Sequence, residues 1–389
     1  MQADAEARTS LLADGAAAGH DGKFFIASPD GAFRLNVSGQ LQFRYNLNFR
    51  NDDDTPTSDD FESGFNQPRI RIAFDGTVLD PKLFYKVMAD AGTAGGNGDF
   101  RLQDTWIGYN FDGGWTLRAG QGITAFMREW YMADQKMLTP ERSLQSLIFG
   151  QNRSKFIDLK YQNDDVRLIG TFSDGFRSVN SEFNADPADW AVTGRAEWKF
   201  AGQWKQLVDE YRSPRGSDYA GALGGAIHFE QGPNRTAGVE EQDLFAWTAD
   251  ILTKGDGWNI MLAGVGYHAQ DEAGVSGADF DDYGGLLQGG YHVTDDVEIV
   301  ARFDAIFPDE DRNGSSTFNT VTGGFNYYLY GQAAKFQLVA IWFLDDTADT
   351  RAGNFGNTGG RTPTSALFGS LPTAQDGQVA IMAQWQLLF

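Results

Sequence analysis

Four basic residues in one aromatic-rich segment, residues 122–153, are the groups best suited by type and spacing to act on a solute. The segment reads GITAFMREWYMADQKMLTPERSLQSLIFGQNR, and its cations are Arg128, Lys136, Arg142 and Arg153. Guanidinium and ammonium groups in a narrow passage select ions by charge and need no covalent step. The carboxylates Glu129, Asp134 and Glu141 lie among these cations and could neutralise them. An ordinary surface loop or a short helix is the alternative for this segment.

Three further cations, Arg69, Arg71 and Arg118, precede this segment. They lie in stretches where apolar and polar residues alternate, as on a strand with one apolar and one polar face. All three would then point to the polar face. We therefore predict a pore-lining and constriction set of Arg69, Arg71, Arg118, Arg128, Glu129, Lys136, Glu141, Arg142 and Arg153.

The composition disfavours catalytic and metal chemistry. The chain has no Cys, which excludes disulfides, thiolate metal sites and Cys nucleophiles. Its four His lack HxxxH or HExxH spacing and have no Ser or Asp partner at a recognisable spacing. Acidic stretches near residues 271–282 and 308–314 could attract calcium, but neither has the spacing of an EF-hand loop. We expect no catalytic residue, no cofactor and no metal site.

Two long alternating stretches predict membrane-spanning strands. Residues 377–389 read GQVAIMAQWQLLF and alternate apolar with polar or small residues up to the aromatic terminus Phe389. Residues 33–50 alternate throughout, whereas soluble strands usually have about 3–10 residues and a tilted membrane strand needs roughly 9–11 to cross the hydrocarbon. The mean hydropathy of −0.39 is consistent with barrel strands, which expose one face to water and the other to lipid.

The rest of the chain repeats a long connection, a strand, a short turn and a strand. Counting in this rhythm gives strands near residues 33–50, 67–78, 82–91, 101–111, 115–121, 155–162, 166–173, 189–200, 218–229, 244–254, 258–268, 283–293, 297–307, 318–329, 334–343 and 377–389. Residues 201–217 could be a short helix or a long turn, and the strand near residue 258 has two faces that compete for the outside. We predict an all-β fold, a transmembrane antiparallel β-barrel of about 16 strands with an inward-folded constriction loop.

The predicted organisation is an N-terminal periplasmic segment, residues 1–30, followed by the barrel, residues 31–389. No basic stretch with an apolar core begins the chain, which we interpret as the mature form of an exported protein. The net charge of −22 disfavours nucleic acid as a partner. Acidic residues concentrate in the connections, whereas the residues predicted to point inward are mainly basic. These inward charges could select anions or could pair across strands as a structural ladder.

Residues 68–161 resemble the phosphate-selective porin O/P family of bacterial outer-membrane porins. The family's features are found in the paired Arg69 and Arg71, the LRAGQ sequence of residues 117–121, Arg128-Glu129 and Glu141-Arg142-Ser143. The chain departs from the family after this LRAGQ sequence, where the family often has Pro-Phe and this chain has Ala125-Phe126.

The resemblance implies a homotrimeric passive channel in the bacterial outer membrane, with lipid outside and small hydrophilic solutes or anions inside. The family is named for phosphate, but the solute selectivity of one member does not carry over to another with the fold. We expect a porin, not an enzyme, that prefers small anions; a general or cation-preferring porin is the alternative. A barrel enzyme would need a nucleophile with a base, and a soluble β-propeller would need repeats of about 40–50 residues, and neither pattern is seen.

Overall fold

The protein is described by a computed structural model over residues 15–51, 60–183, 188–208, 210–231, 242–271, 280–309, 317–347 and 365–389. Its strands are β1 (Ala17–His20), β2 (Phe24–Ala27), β3 (Arg34–Phe49), β4 (Phe61–Asn66), β5 (Ile70–Val78), β6 (Asp80–Asp90), β7 (Arg101–Asn110), β8 (Trp115–Ile123), β9 (Arg153–Gln162), β10 (Val166–Ser173), β11 (Trp190–Ala201), β12 (Ala220–Gln231), β13 (Gln242–Gly255), β14 (Trp258–Asp271), β15 (Phe280–His292), β16 (Val297–Phe307), β17 (Phe318–Tyr330), β18 (Ala334–Phe343) and β19 (Val379–Leu388).

Helical structure is limited to short pieces in the connections. The helices are α1 (Arg128–Tyr131), α2 (Leu144–Phe149) and α3 (Trp204–Val208), with 3₁₀ turns at Asp112–Gly114 and Asp134–Lys136. Across the described ranges, every helix falls short of the length and apolar character that crossing a membrane requires. Residues 201–217 thus contain the short helix, α3, which was one of the two alternatives for that stretch.

The strands form one antiparallel sheet that closes on itself. β19 pairs with β18 on one side and with β3 on the other, where Gln384 lies opposite Arg44. β4 and β5 both pair with β3 and share one position in the wall. Counted in this way, and without the short β1–β2 hairpin, the barrel has the predicted 16 strands. This closure pairs the terminal strand β19 on both sides, as lipid requires because it cannot satisfy free backbone groups.

Side-chain alternation places apolar groups outside the barrel and polar groups inside. On β19, Trp385 is half exposed on the outer face, whereas the neighbouring Gln384 and Gln386 are buried. On β14, Ile260 is exposed and Met261 is buried. The apolar series of β14 that begins at Trp258 and includes Ile260 therefore faces outward, and the series that includes Met261 faces inward. This decides between the two possible outer faces of that strand.

Residues 17–27 add a hairpin to the sheet that the sequence pattern did not predict. β2 pairs with the first residues of β3, with Phe24 opposite Val37. The Arg34 guanidinium lies 4.2 Å from the centre of the Phe25 ring. Strands of four residues are too short to show a reliable alternation, which explains why the hairpin was missed. The first fourteen residues of the predicted N-terminal segment lie outside the described part of the chain.

A cluster of buried apolar side chains includes inward residues of β13–β18. This buried cluster joins segment 122–153 to the inward residues of these strands, and it includes Phe126, Met132, Leu144, Phe149, Leu244, Met261, Val265, Tyr267, Leu286, Val300, Val339 and Ile341. From the connection that follows β11, Leu207 and Tyr211 join the same cluster.

Candidate pore and constriction site

Segment 122–153 leaves the wall after β8, returns at β9 and makes hydrogen bonds to strands remote from both. Asn326 on β17 donates to the backbone carbonyl of Leu138 at 2.9 Å. The hydroxyl of Tyr267 on β14 donates to the backbone carbonyl of Phe149 at 2.5 Å. The segment is thus connected to the wall at several separate positions.

Arg128, at the start of α1, lies in a buried cluster of ion pairs. Its Nε is 2.5 Å from Asp250 on β13, and its Nη2 is 2.8 Å from Glu197 on β11. Arg195 contacts the same two carboxylates, at 2.6 Å and 2.9 Å. Arg167 on β10 is paired with Glu197 as well, so three guanidinium groups surround two carboxylates away from water. Arg128 is the one of the three that belongs to the segment, and it therefore anchors the segment to β11 and β13.

Glu129 holds two turns of the segment together. Its carboxylate accepts hydrogen bonds from the backbone N–H of Ser143 at 3.1 Å and from the Ser146 hydroxyl at 2.5 Å. Ser143 in turn caps α2, because its hydroxyl oxygen accepts from the backbone N–H of Ser146 at 3.0 Å. Arg302 on β16 lies 3.3 Å from Glu129 and connects these turns to the wall.

The two remaining carboxylates of the segment connect it to β3 and β5. Glu141 lies 2.5 Å from Arg44 and 2.7 Å from Arg69, and Asp134 lies 2.5 Å from Arg71. Burial opposes ionisation of Glu141, but Arg69 and Arg44 outweigh it and lower its pKa. Burial likewise opposes ionisation of Asp134, whose pKa the arginines hold well below its usual value. Both carboxylates are therefore charged at neutral pH and neutralise their arginine partners.

Arg142 has a different environment from the other arginines of the segment. Its Nε donates to the backbone carbonyl of Glu129 at 3.0 Å, and its Nη2 donates to that of Met132 at 3.1 Å. The guanidinium lies 4.5 Å from the centre of the Trp130 ring. Burial lowers the pKa of Arg142 to about 10, which leaves it cationic at neutral pH. Arg142 takes part in none of the salt bridges within the described ranges. Backbone carbonyl groups hold its guanidinium in place, and no described carboxylate lies at salt-bridge distance from it.

A cavity of about 770 Å³ lies beside Arg142, bordered by β5, β7, segment 122–153 and residues 365–368. Its charged lining consists of five arginines and two carboxylates: Arg69, Arg71, Arg101, Arg142, Arg153, Asp134 and Glu141. Arg153 is paired with Asp104 at 2.7 Å, whereas Arg101 is exposed and, like Arg142, forms no salt bridge among the residues described. The charges that remain unpaired in this lining are positive.

A further cation lies on the wall, outside the cavity lining. Arg118 on β8 is paired with Asp158 on β9, and its guanidinium lies 5.4 Å from the Trp106 ring and 5.3 Å from the Phe156 ring. Lys86 on β6 is bound to Asp104 at 2.7 Å, and Asp104 also binds Arg153 of the cavity.

The structure distributes the predicted site residues among three environments. The cavity lining contains Arg69, Arg71, Glu141, Arg142 and Arg153. Arg128 and Glu129 are in buried ion pairs, while Arg118 and the half-buried Lys136 lie outside the cavity lining. The predicted set omitted Asp250 and Arg101. Asp250 could have been found, because it is a carboxylate on the otherwise mostly apolar inward face of β13.

A closed 16-strand barrel with an apolar outer face and charged inward residues defines the chain as a porin of the bacterial outer membrane. Residues 38–204 match the family model described as phosphate-selective porin O and P. This match and the fold together favour a channel over an enzyme.

Solved structures of outer-membrane proteins share this fold over nearly the whole chain. The anion-selective porin from Comamonas acidovorans has a TM-score of 0.59 at 13% identity, covering 91% of this chain and 99% of that one. The outer-membrane channel DcaP of Acinetobacter baumannii has a TM-score of 0.56 at 15% identity, covering 91% and 97%. OmpT of Vibrio cholerae in its trimer form has a TM-score of 0.56 at 12% identity, covering 91% and 99%. No curated protein sequence matches the chain.

Proposed function

We propose that the chain is a passive, water-filled channel for small hydrophilic solutes and that it prefers small anions. The observation that carries this proposal is the charge of the cavity, where five arginines face two carboxylates. Both carboxylates are already bound by arginines, and Arg101 and Arg142 form no salt bridge in the described ranges. Charges act mainly within a Debye length of about 8 Å, so these cations should outweigh the more distant acidic connections.

Segment 122–153 forms the constriction in this proposal. Support comes from its contacts with β3, β5, β11, β13, β14, β16, β17 and β18. A segment that starts and ends at adjacent strands can reach all of these positions most directly by crossing the lumen. The remaining passage would then run beside β5–β9, where the cavity and Arg118 lie.

The assembly in this proposal is a homotrimer with outer-membrane lipid around its apolar outer face. The trimer form of OmpT, which shares the fold, supports this state. Within the predicted N-terminal segment, residues 15–30 would lie on the periplasmic side, since β2 pairs with the first residues of β3, next to the short turns. Native mass spectrometry in mild detergent should show three copies of the chain. A monomer under those conditions would contradict the trimer without affecting the channel.

The proposed selectivity is tested by the reversal potential of the purified protein in a planar bilayer under a potassium chloride gradient. The proposal predicts the sign that corresponds to chloride permeation. Potassium permeation would instead support the alternative of a general or cation-preferring porin. Replacement of chloride by phosphate on one side measures phosphate permeation in the same experiment.

A further inference from the structure

We propose that the anions best accommodated by this channel are organic carboxylates with a planar apolar body, of the benzoate type, in preference to inorganic phosphate. This inference rests on the proposed anion preference and names its substrate class. It follows from the apolar part of the cavity, from the few unpaired cations there, and from a second site of similar composition on the adjoining wall.

The cavity has an apolar side as well as a basic one. Its lining includes Leu102, Trp130, Leu147, Val179, Leu367 and Phe368. Trp130, Leu147 and Val179 are each partly exposed. Phosphate gains nothing from apolar surface, because all of its oxygens require hydrogen-bonding partners or water. An apolar ring would cover this surface and contribute favourable free energy of about 25 cal/mol per Å² of area removed from water.

The number of available cations also favours a single carboxylate over phosphate. Arg69 is bound to Glu141 and Asp134, and Arg71 to Asp134 and Asp90. Phosphate has more acceptor oxygens than a carboxylate and is held best where several charge-assisted donors converge. Of the two lining cations without a salt bridge in the described ranges, Arg101 is exposed at the start of β7. Arg142 is the one beside the aromatic surface, and its bonds to carbonyl groups use Nε and Nη2 and do not involve Nη1. One planar guanidinium matches one planar carboxylate.

A guanidinium lies next to an aromatic ring both in segment 122–153 and on β8. In the cavity, Arg142 lies 4.5 Å from the centre of the Trp130 ring. On β8, Arg118 lies 5.4 Å from the Trp106 ring and 5.3 Å from that of Phe156. Asp104 and Trp106 are two residues apart on β7, so their side chains point to the same side of that strand. Asp104 also binds Arg153 of the cavity lining. An aromatic carboxylate could therefore pass from one cation–ring pair to the next.

The test measures how strongly four small probes block the chloride current of the intact channel in a planar bilayer. Benzoate carries the charge and the ring, acetate the charge alone, benzyl alcohol the ring alone, and inorganic phosphate a larger charge without apolar surface. We expect benzoate to half-block at a concentration about tenfold lower than acetate or phosphate, since about 1.4 kcal/mol from ring burial corresponds to tenfold. Equal values for benzoate and acetate would overturn the inference, as would stronger block by phosphate or by benzyl alcohol.

A variant pair locates the effect in the cavity. Leu147→Ala combined with Val179→Ala should reduce the acetate-to-benzoate ratio of half-blocking concentrations from about tenfold to about threefold, because part of the apolar lining is removed. Leu287→Ala, on the half-exposed outer face of β15, is the matched control and should keep the ratio. An unchanged ratio in the double variant would overturn the assignment of the cavity as the site.

Failure of this inference can be told from failure of the proposed function. The reversal potential in potassium chloride alone reports anion preference, and it does not depend on any organic probe. A chloride-selective channel that does not distinguish benzoate from acetate would retain the proposed function and contradict the substrate class. Heat-modifiable migration on an unboiled denaturing gel checks that each variant is folded before its current is measured.

Discussion

Glu141 of the long connection lies 2.7 Å from the Nη2 of Arg69, the residue that directly precedes β5, although 72 positions separate them in the sequence. Arg44 of β3 lies 2.5 Å from the other oxygen of the same carboxylate. One carboxylate thus joins the connection to two strands and neutralises charge that would otherwise face the passage. The selectivity of the pore should depend on which cations lack such a partner.

Glu141→Gln should increase the chloride preference. The neutral amide cannot balance Arg44 and Arg69, so the positive charge near the cavity rises and the connection is held less firmly to β3 and β5. We expect a reversal potential closer to the chloride limit and a larger single-channel conductance. Asp112→Asn, at an exposed turn, removes the same charge and should change neither quantity. A shift of the Glu141 variant toward potassium would contradict this role.

Arg128→Ala should destabilise the folded barrel more than it alters selectivity. Asp250 would keep only Arg195, and Glu197 would keep Arg195 and Arg167, so the loss is that of charge-assisted hydrogen bonds, about 1.5–3 kcal/mol. The measurement is the temperature at which the folded band disappears on denaturing gels. Arg128→Lys should rescue it poorly, because one ammonium group cannot contact both carboxylates in the geometry of a guanidinium. Full rescue by Lys would show that only the charge matters.

The attachment of the connection to β3 and β5 should weaken in acid. The pKa values of Asp134 and Glu141 lie below their ordinary values of 3.8 and 4.5. Their contribution to stability is therefore fully present above about pH 4.5 and is lost as the pH falls through the lowered values. Single-channel conductance should change as the pH falls below about 4, and this change should be smaller in Glu141→Gln. A change of equal size in that variant would assign the acid response to other groups.

Gly39→Val should impair closure of the barrel. A Cβ at Gly39 would lie 2.2 Å from the ring of Phe389, and the backbone N–H of Gly39 donates to the carbonyl of Phe389 at 2.7 Å. The ring must move, and overpacking of this kind costs about 1–3 kcal/mol. We expect a lower yield of folded barrel and a lower melting temperature on gels. Gly323→Ala on β17 is the control, since its added Cβ meets nothing within 4 Å.

The wall of the barrel could be predicted from the sequence, because alternation is a local property of each strand. The long pattern of residues 33–50 and the pattern ending at Phe389 correspond to β3 and β19, which pair as predicted. The interior could not be predicted in the same way. The pairing of Arg128 with Asp250 connects residues 122 positions apart, and it depends on how the connection folds. Local patterns therefore identified candidate cations but not which of them would be neutralised.

The charge of Arg142 is the central element of the proposed anion path, and the difference between two charge-neutralising variants tests it most directly. Arg142→Gln removes a cavity guanidinium, and Lys205→Gln removes an exposed cation on α3. In a potassium chloride gradient, Arg142→Gln should lower the chloride-to-potassium permeability ratio about fivefold, since a unit charge about 4 Å away contributes about 1 kcal/mol in water. Lys205→Gln should keep the wild-type ratio. Equal reversal potentials for wild type and both variants would contradict an anion path beside Arg142.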